Sequence, residues 1–261
     1  MHPTRGNQQP APAGEHRRSI VRLAAVACLV WLLGPAAGAS AVESRTVTFR
    51  TADGVTLAAT LYEPSVRPAP GVVLVHMFTR SRRDWEAVGD GLAEAGFVAL
   101  AFDLRGHGAS GGTVPDGADG QPDFSRLVAD VQAACAYLAS RPDLVRAGAV
   151  GIAGASLGAN LAVLAAADDP SVRSLALLSP SLAYRTLRAE PALRKYGDRP
   201  ALLVAGTDDP YALRSVEALA KAGSGTRRID RLDGAGHGTI MLGRAPDLIR
   251  HLVDWFRETL L

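Results

Sequence analysis

The chain has 261 residues, of which 48% are hydrophobic and 21% are charged, and its formal net charge is +2. These values are those of an ordinary globular protein, long enough for one large α/β domain or, as the less favoured division, two small ones. Because the sequence has no internal repeat and no long low-complexity tract, it indicates neither a repeat protein nor a disordered one.

Residues 1–41 have the three parts of a secretory signal peptide. Three arginines precede an uncharged apolar run over residues 23–33, and a segment of small residues then ends in Ala39-Ser40-Ala41. We therefore predict a signal peptide over residues 1–41, a single domain over residues 42–261, and export to the periplasm or the medium. Arg17 and Arg18 also fit a twin-arginine export signal. The alternative is an N-terminal membrane anchor that is not cleaved, although the apolar run is short for a membrane span.

Cleavage after Ala41 changes both the charge and the cysteine count. It removes four arginines and one glutamate, which leaves 24 basic and 25 acidic residues and a net charge of −1. This balance gives no reason to expect nucleic-acid binding, and we expect no stable membrane partner once the signal is removed. Cys28 leaves with the signal, so Cys135 has no partner for an intramolecular disulfide and is predicted to pack as a small apolar residue.

The remaining chain begins with a hairpin and continues as alternating strands and helices. Residues 45–50 alternate polar and apolar, Asp53-Gly54 marks a turn, and residues 55–62 return as a strand. After a linker at residues 64–70, continuous apolar runs predict strands covered on both faces. These strands are 71–75, 97–102, 149–152, 175–178, 201–205 and 228–232, and the predicted helices are 84–95, 124–140, 161–167, 212–222 and 245–260. This order predicts an α/β fold with a mostly parallel central sheet, an N-terminal antiparallel hairpin and helices on both faces.

Ser156 lies in Gly154-Ala155-Ser156-Leu157-Gly158, between a predicted strand and a predicted helix. A strand that turns into a helix within one residue strains the central serine, and the residues two positions away must then lack side chains. Such a turn exposes the serine hydroxyl beside helix N–H groups, which is the arrangement of a nucleophile elbow. The alternative is a glycine-rich turn in which Ser156 caps the helix.

A serine hydroxyl is a weak nucleophile unless a base accepts its proton and a third group orients that base. His237 lies in the glycine-rich loop 234–238, after the last strand, where it can reach the carboxyl ends of the parallel strands. His251 lies inside the closing helix and is interpreted as a surface or packing residue. Asp209, after strand 201–205 and before a proline, is the preferred orienting acid. Asp208 is the alternative, and both aspartates also fit a turn that caps the next helix.

The order Ser156, Asp209, His237 in these strand and loop contexts resembles the α/β-hydrolase fold family over residues 42–261. The segment 103–108, Asp-Leu-Arg-Gly-His-Gly, is similar to that family's loop after the fourth strand, where its role is chiefly structural. Within the family the chain is most similar to the small bacterial hydrolases grouped with dienelactone hydrolases. Those proteins commonly have cysteine as the nucleophile, and this chain has Ser156, so it resembles a dienelactone-hydrolase-like serine hydrolase. His76-Met77-Phe78 stands at the loop after the third strand, and Met77 replaces the glycine that is usual there.

The resemblance implies a catalytic triad of Ser156, Asp209 and His237, and an oxyanion hole formed by the backbone N–H groups of Phe78 and Leu157. Only residues 179–200 are available between the sixth and seventh strands, which predicts a minimal lid. Candidates to line the acyl pocket, each of which also fits the core, are Phe78, Tyr184 and Met241.

These features predict an exported serine hydrolase that cleaves carboxylic esters of small or soluble substrates. The alternatives are a serine peptidase of the same fold and a non-catalytic binding protein on this fold. The sequence has no metal-ligand cluster and no nucleotide-binding loop, so we expect neither a metal nor a cofactor, and a small-molecule ester is the expected partner.

Overall fold

The computed structural model describes residues 42–261, and the predicted signal peptide at residues 1–41 lies outside the described residues. Within the described range the chain forms ten strands and seven α-helices. The strands are β1 Glu43–Arg50, β2 Thr56–Glu63, β3 Ala69–Val75, β4 Val98–Phe102, β5 Val145–Ala155, β6 Val172–Leu178, β7 Ala183–Tyr184, β8 Leu187–Arg188, β9 Ala201–Gly206 and β10 Arg227–Leu232. The helices are α1 Glu86–Glu94, α2 Val128–Ala139, α3 Leu157–Asp168, α4 Ala189–Tyr196, α5 Pro210–Leu219, α6 Ile240–Arg244 and α7 Leu248–Leu260.

Eight of the strands form one sheet in the order β1-β2-β4-β3-β5-β6-β9-β10. The pairs β1–β2 and β2–β4 are antiparallel, and the pairs from β4 to β10 are parallel. The predicted hairpin and mostly parallel sheet are therefore confirmed. The parallel strands of this sheet are β3, β4, β5, β6, β9 and β10. Because they run in one direction, the loops that follow them gather at one edge of the sheet.

Helices cover both faces of the sheet, as the sequence predicts. Val73 and Val75 of β3 belong to a hydrophobic cluster that includes α2, α3, α4 and α5. Val72 and Leu74 belong to the cluster on the opposite face, with α1, α6 and α7. This alternation follows from the two-residue period of a strand, and it explains why β3 is an unbroken apolar run in the sequence.

The connection between β6 and β9 contains a two-stranded hairpin, β7–β8, and the eight-residue helix α4. The predicted minimal lid is confirmed in this segment. The hydroxyl of Tyr211, in the first turn of α5, donates a hydrogen bond of 3.1 Å to the carbonyl of Ala183. The hairpin is thereby joined to the helix that follows β9. Among residues 42–261, no helix has both the length and the hydropathy needed to cross a bilayer.

Several element boundaries differ from those predicted, and three of the differences have a clear local cause. The helix predicted from 161 begins at Leu157. Its first residues include Gly158, which packs closely against the end of β3, and such small residues do not show the helical spacing of apolar side chains in the sequence. The helix predicted over 245–260 begins at Leu248, since a proline at 246 keeps the preceding residue out of the helical conformation. Pro70 lies inside β3 and not in a linker, at an irregularity in the pairing with β5 where a missing N–H is tolerated.

Candidate active site

Ser156 stands between the end of β5 and the start of α3, with φ 51° and ψ −114°. This is the strained backbone that the flanking glycines predict. A Cβ at Gly154 would overlap the carbonyl of Gly158, and a Cβ at Gly158 would overlap the carbonyls of Val75 and His76. Side chains at either position would therefore force the elbow apart.

The structure brings His237 and Asp209 to Ser156. Nε2 of His237 lies 2.7 Å from Oγ of Ser156, and Nδ1 of His237 lies 2.5 Å from Oδ2 of Asp209. The His237 side chain is 42% exposed, whereas the Asp209 side chain is 16% exposed. The imidazole is therefore partly open to solvent, whereas the carboxylate is mostly covered.

The two adjacent aspartates make different contacts. Asp209 also caps α5, since its Oδ1 accepts a hydrogen bond of 3.1 Å from the N–H of Ala212. Asp208 turns away from the imidazole, and its Oδ1 accepts a hydrogen bond of 2.8 Å from the N–H of Gly236. The preferred orienting acid thus contacts His237, and the alternative supports the loop that carries it.

Further contacts hold the histidine loop at its other residues. The N–H of Gly238 donates a 3.0 Å hydrogen bond to Oγ of Ser179, and the N–H of Gly234 donates a 3.2 Å bond to Oγ1 of Thr207. The hydroxyl of Thr239 donates to the carboxylate of Asp84. Side chains from three separate loops therefore fix the backbone on both sides of His237.

Sequence reasoning missed Ser179. It is fully buried, it follows β6 directly, and its φ of 49° is unusual for a residue other than glycine. Its only signal in the sequence is a polar residue at the end of an apolar strand, at the edge where the site is expected. That signal does not reveal that its partner is Gly238.

The predicted oxyanion donors lie beside Ser156, one at the start of α3 and the other in the loop after β3. Leu157 is the first residue of α3, and the first N–H groups of a helix have no partner inside the helix. Phe78 lies in the loop after β3, and its N–H donates no hydrogen bond to any residue in the range 42–261. Both N–H groups are thus available to an acceptor from outside the chain.

The predicted pocket residues separate into two groups. Phe78 is 39% exposed, and its ring lies edge-on to Phe124 with the centroids 5.1 Å apart. The ring of Tyr184 lies 5.5 Å from Phe124 on its other side. Met241 is fully buried in the cluster that contains α1 and α7, so the structure does not bring it together with the two aromatic residues. Phe124 was missed because its position in a helical pattern resembles that of a core residue.

The other histidines within residues 42–261 do not contact Ser156. Nδ1 of His107 lies 3.0 Å from the carbonyl of Arg105, within the loop after β4. Nδ1 of His251 lies 3.3 Å from Oδ2 of Asp230, between α7 and β10. His76 is fully buried behind the loop that carries Phe78. Among the described residues, no group of three or more His, Cys, Asp or Glu side chains is arranged to hold a metal ion.

The sheet order, the strand-to-helix turn at Ser156 and the loops at one sheet edge define an α/β-hydrolase fold. The family model described as serine aminopeptidase, S33, matches residues 67–198, about half of the chain, and the chain belongs to this family of hydrolases. The matched residues include Phe78 and Ser156, whereas Asp209 and His237 lie beyond them.

Similar proteins include an uncharacterised protein and two proteins named as hydrolases. An uncharacterised protein of Pseudomonas aeruginosa, PA2218, is 34% identical over 140 residues, which are 51% of this chain and 36% of that protein. The chain therefore spans about a third of the length of this curated relative. A dienelactone hydrolase of Anabaena variabilis has a similar structure, with a TM-score of 0.69 at 22% identity, covering 85% of this chain and 100% of that one. An esterase of Pyrococcus furiosus has a TM-score of 0.70 at 17% identity, covering 84% and 92%.

Proposed function

We propose that this protein is an exported serine hydrolase that cleaves carboxylic esters of small or soluble substrates through a Ser-His-Asp triad and an acyl-enzyme. The observation that carries the proposal is the unbroken chain of hydrogen-bond contacts from Asp209 through His237 to Ser156, with separations of 2.5 Å and 2.7 Å. A hydroxyl, an imidazole and a carboxylate in this order form the arrangement that activates serine for acyl transfer.

Acylation begins when Oγ of Ser156 attacks the ester carbonyl carbon and its proton passes to Nε2 of His237. Asp209 holds the imidazole in the required tautomer and stabilises the imidazolium that forms. His237 then gives the proton to the leaving alkoxide, and the alcohol departs. Water repeats the sequence on the acyl-enzyme, and the products are a carboxylic acid and the free serine.

The negative charge that develops on the carbonyl oxygen is assigned to the N–H groups of Phe78 and Leu157. Both groups lack a protein acceptor among the described residues, and both flank the strained turn that presents Ser156. One such donor is typically worth about 3–4 kcal/mol of transition-state stabilisation.

Small or soluble esters fit the open character of the site. The lid consists of a short hairpin and one helix, and the side chains of His237 and Phe78 are both substantially exposed. Phe78 and Tyr184, joined through Phe124, offer an aromatic wall for the acyl group. Such a site covers little of a long apolar chain, whereas it leaves a short acyl group accessible to water.

A serine peptidase of the same fold is the second candidate, and the family description, serine aminopeptidase, favours it. An aminopeptidase needs an acidic side chain free to bind the substrate amine. Near the site, Asp84 already contacts Thr239 and Arg80, and Asp209 contacts His237. Ester hydrolysis makes no such demand. A non-catalytic binding protein is the third candidate, and the complete triad argues against it.

Labelling and turnover distinguish the three candidates. A fluorophosphonate probe is expected to label Ser156 in the native chain and to leave a Ser156→Ala variant unlabelled. The same variant is expected to lose p-nitrophenyl acetate hydrolysis by at least about 10⁴-fold while it keeps its thermal unfolding midpoint. Absence of labelling in the native chain would favour the binding protein, and faster turnover of aminoacyl anilides than of matched esters would favour the peptidase.

Export is the part of the proposal that rests on residues 1–41. The basic, apolar and small-residue segments support a cleavable signal and a periplasmic or secreted product, with an uncleaved membrane anchor as the alternative. Expression of the full chain in a bacterial host, followed by mass measurement of the exported protein, is expected to give a chain that begins at Val42. A full-length chain recovered with the membranes would support the anchor.

A further inference from the structure

His76 follows β3 directly and is fully buried. Its Nε2 lies 3.0 Å from the N–H of Leu104, and its Nδ1 lies 2.8 Å from the carbonyl oxygen of Met77. Because Leu104 N–H is a donor, Nε2 must be the unprotonated nitrogen. In a neutral imidazole the proton is then on Nδ1, which donates to Met77. Both ring nitrogens thus have defined roles, and the ring links the loop after β4 to the loop after β3.

The carbonyl that accepts this hydrogen bond belongs to the peptide group that joins Met77 to Phe78. In a planar trans peptide the C=O and the N–H point in opposite directions, so a contact that fixes one also fixes the other. The N–H of Arg80 donates a second hydrogen bond, of 3.2 Å, to the same carbonyl. The opposite side of this peptide is the N–H of Phe78, which has no acceptor among residues 42–261.

The Met77 side chain restricts this peptide further. It is half-buried against the cluster that contains α1 and α7, and an added Cβ at Gly238 would collide with its sulfur atom. Met77 therefore lies between His76 and the loop that carries His237. The peptide after Met77 is held at its carbonyl, and the packing of the methionine side chain limits the movement of the residue that precedes it.

We propose that His76 is a positioning residue for catalysis, which aims the Phe78 N–H at the substrate oxyanion by holding the carbonyl of Met77. The proposal rests on the ester hydrolysis proposed above. It assigns a reaction-specific role to a buried side chain that does not touch the substrate. Since an oxyanion donor acts only when it points at the position of the developing charge, a small rotation of this peptide would remove its contribution.

The surroundings of His76 keep its ring neutral. Burial lowers its pKa to about 4, and the nearby His107 ring, at 5.2 Å, acts in the same direction. The hydrogen bond to the Met77 carbonyl and the carboxylates of Asp103 and Asp84 raise the pKa, and they do not cancel the effect of burial. At neutral pH the imidazole therefore keeps one donor and one acceptor, as both of its contacts require.

Two substitutions separate the two hydrogen bonds of His76. The amide of asparagine places an N–H₂ at the position of Nδ1, so His76→Asn keeps a donor for Met77 and loses the acceptor for Leu104. The longer glutamine places its amide at the position of Nε2, so His76→Gln keeps an acceptor for Leu104 and loses the donor for Met77. The pair differs in the one contact on which the proposal depends.

The variants are compared on an oxygen ester and on the matching thionoester, with active sites counted by fluorophosphonate titration. A thiocarbonyl sulfur accepts weaker hydrogen bonds than a carbonyl oxygen, so a working oxyanion hole favours the oxygen ester. We expect His76→Gln to lower kcat for the oxygen ester about 10–100-fold, with KM little changed and the preference over the thionoester reduced in parallel. We expect His76→Asn to keep kcat and the preference within about threefold of the native values.

A purely structural role for His76 would lower the active fraction and leave the preference for the oxygen ester unchanged in both variants. That result would overturn the proposal, and so would an equal loss of preference in both variants. His76→Gln decides the matter alone, because the proposal expects a reduced preference in it and a purely structural role does not. If His76→Asn is the only variant that folds, a reduced preference in it would overturn the proposal. Failure of the fluorophosphonate to label the native chain would instead overturn the proposed ester hydrolysis.

Discussion

Oδ2 of Asp209 lies 2.5 Å from Nδ1 of His237, although 28 residues separate them in the chain. The parallel pairing of β9 with β10 explains this proximity, because Leu232 at the end of β10 lies opposite Gly206 at the end of β9. The loops after both strands therefore leave the sheet side by side. Asp208, one residue earlier, faces the backbone of the histidine loop.

This difference between neighbouring aspartates predicts different effects of the same substitution. Asp209→Asn is expected to lower kcat roughly 10⁴-fold, because an amide no longer holds the imidazole in the tautomer that accepts the serine proton. Its stability should change little, since the asparagine oxygen can still accept the N–H of Ala212 and cap α5. Ester hydrolysis and thermal unfolding measure the two effects.

Asp208→Asn is the matched control. The asparagine oxygen can still accept the Gly236 N–H, so kcat is expected to remain within a few-fold of the native value. Equal losses of activity in the two variants would show that the carboxylate next to His237 has no special role.

Ser179→Ala is expected to weaken both the fold and catalysis. The substitution leaves the buried N–H of Gly238 without its acceptor, which costs about 1–3 kcal/mol in the free energy of unfolding. Since Gly238 follows His237, we also expect kcat to fall about tenfold as the imidazole loses its fixed position. Urea unfolding and ester kinetics provide the measurements.

The exposed Ser125 supplies the comparison for Ser179. Its hydroxyl donates a hydrogen bond to the carboxylate of Asp123. After substitution, the backbone N–H of residue 125 can still donate to the same carboxylate. Ser125→Ala should therefore change the free energy of unfolding by no more than about 0.5 kcal/mol. A Ser179→Ala variant as stable and as active as Ser125→Ala would contradict the assigned role.

The Arg105–Asp130 pair is expected to be essential for stability. The two side chains are 3% and 0% exposed, and Nη2 of Arg105 lies 2.6 Å from Oδ1 of Asp130. Burial raises the pKa of Asp130, so its charge is costly unless the guanidinium remains beside it. Arg105→Met should lower the free energy of unfolding by about 3–5 kcal/mol in urea denaturation.

The pair Arg194–Glu190 is the control, because it joins the same two kinds of charged group, a guanidinium and a carboxylate, at the solvent-exposed surface. Its side chains are 59% and 47% exposed at a separation of 2.8 Å. Arg194→Met is expected to cost at most about 1 kcal/mol. Comparable losses in Arg105→Met and Arg194→Met would mean that burial does not govern the strength of these pairs.

His76 is expected to make the fold sensitive to acid. Burial lowers its pKa from 6.5 to about 4, so the unfolded chain takes up a proton at a higher pH than the folded chain does. The contribution of His76 to the free energy of unfolding is therefore fully present above pH 6.5 and is lost as the pH drops from 6.5 to about 4. Urea denaturation at about pH 7 and at about pH 4 should show a loss of up to about 3 kcal/mol from this group.

The same measurement on His76→Gln removes the titrating group and leaves the other acids in place. This variant should lose less stability between the two pH values than the native chain does. If both chains lose the same amount, protonation of His76 makes no contribution to the acid sensitivity.

The sequence by itself determined the eight strands of the main sheet and five of the seven described α-helices in chain order, the N-terminal hairpin, and the turn at Ser156. These features depend on local patterns that can be seen in consecutive residues. The patterns are the spacing of apolar residues along each element and the absence of side chains at Gly154 and Gly158. The candidate residues Ser156, Asp209 and His237 followed from the rule that loops after parallel strands share one edge. Their catalytic role stays a prediction until the experiments above are done.

Only the tertiary structure decided which side chains face one another across those loops. It brought Asp209 rather than Asp208 to His237, it joined Ser179 to Gly238, and it turned Met241 into the core. These outcomes depend on the direction of single side chains and on contacts between residues far apart in the chain. Local periodicity carries no information about such contacts, because a side chain's partner is set by how the loops pack and not by its neighbours in sequence.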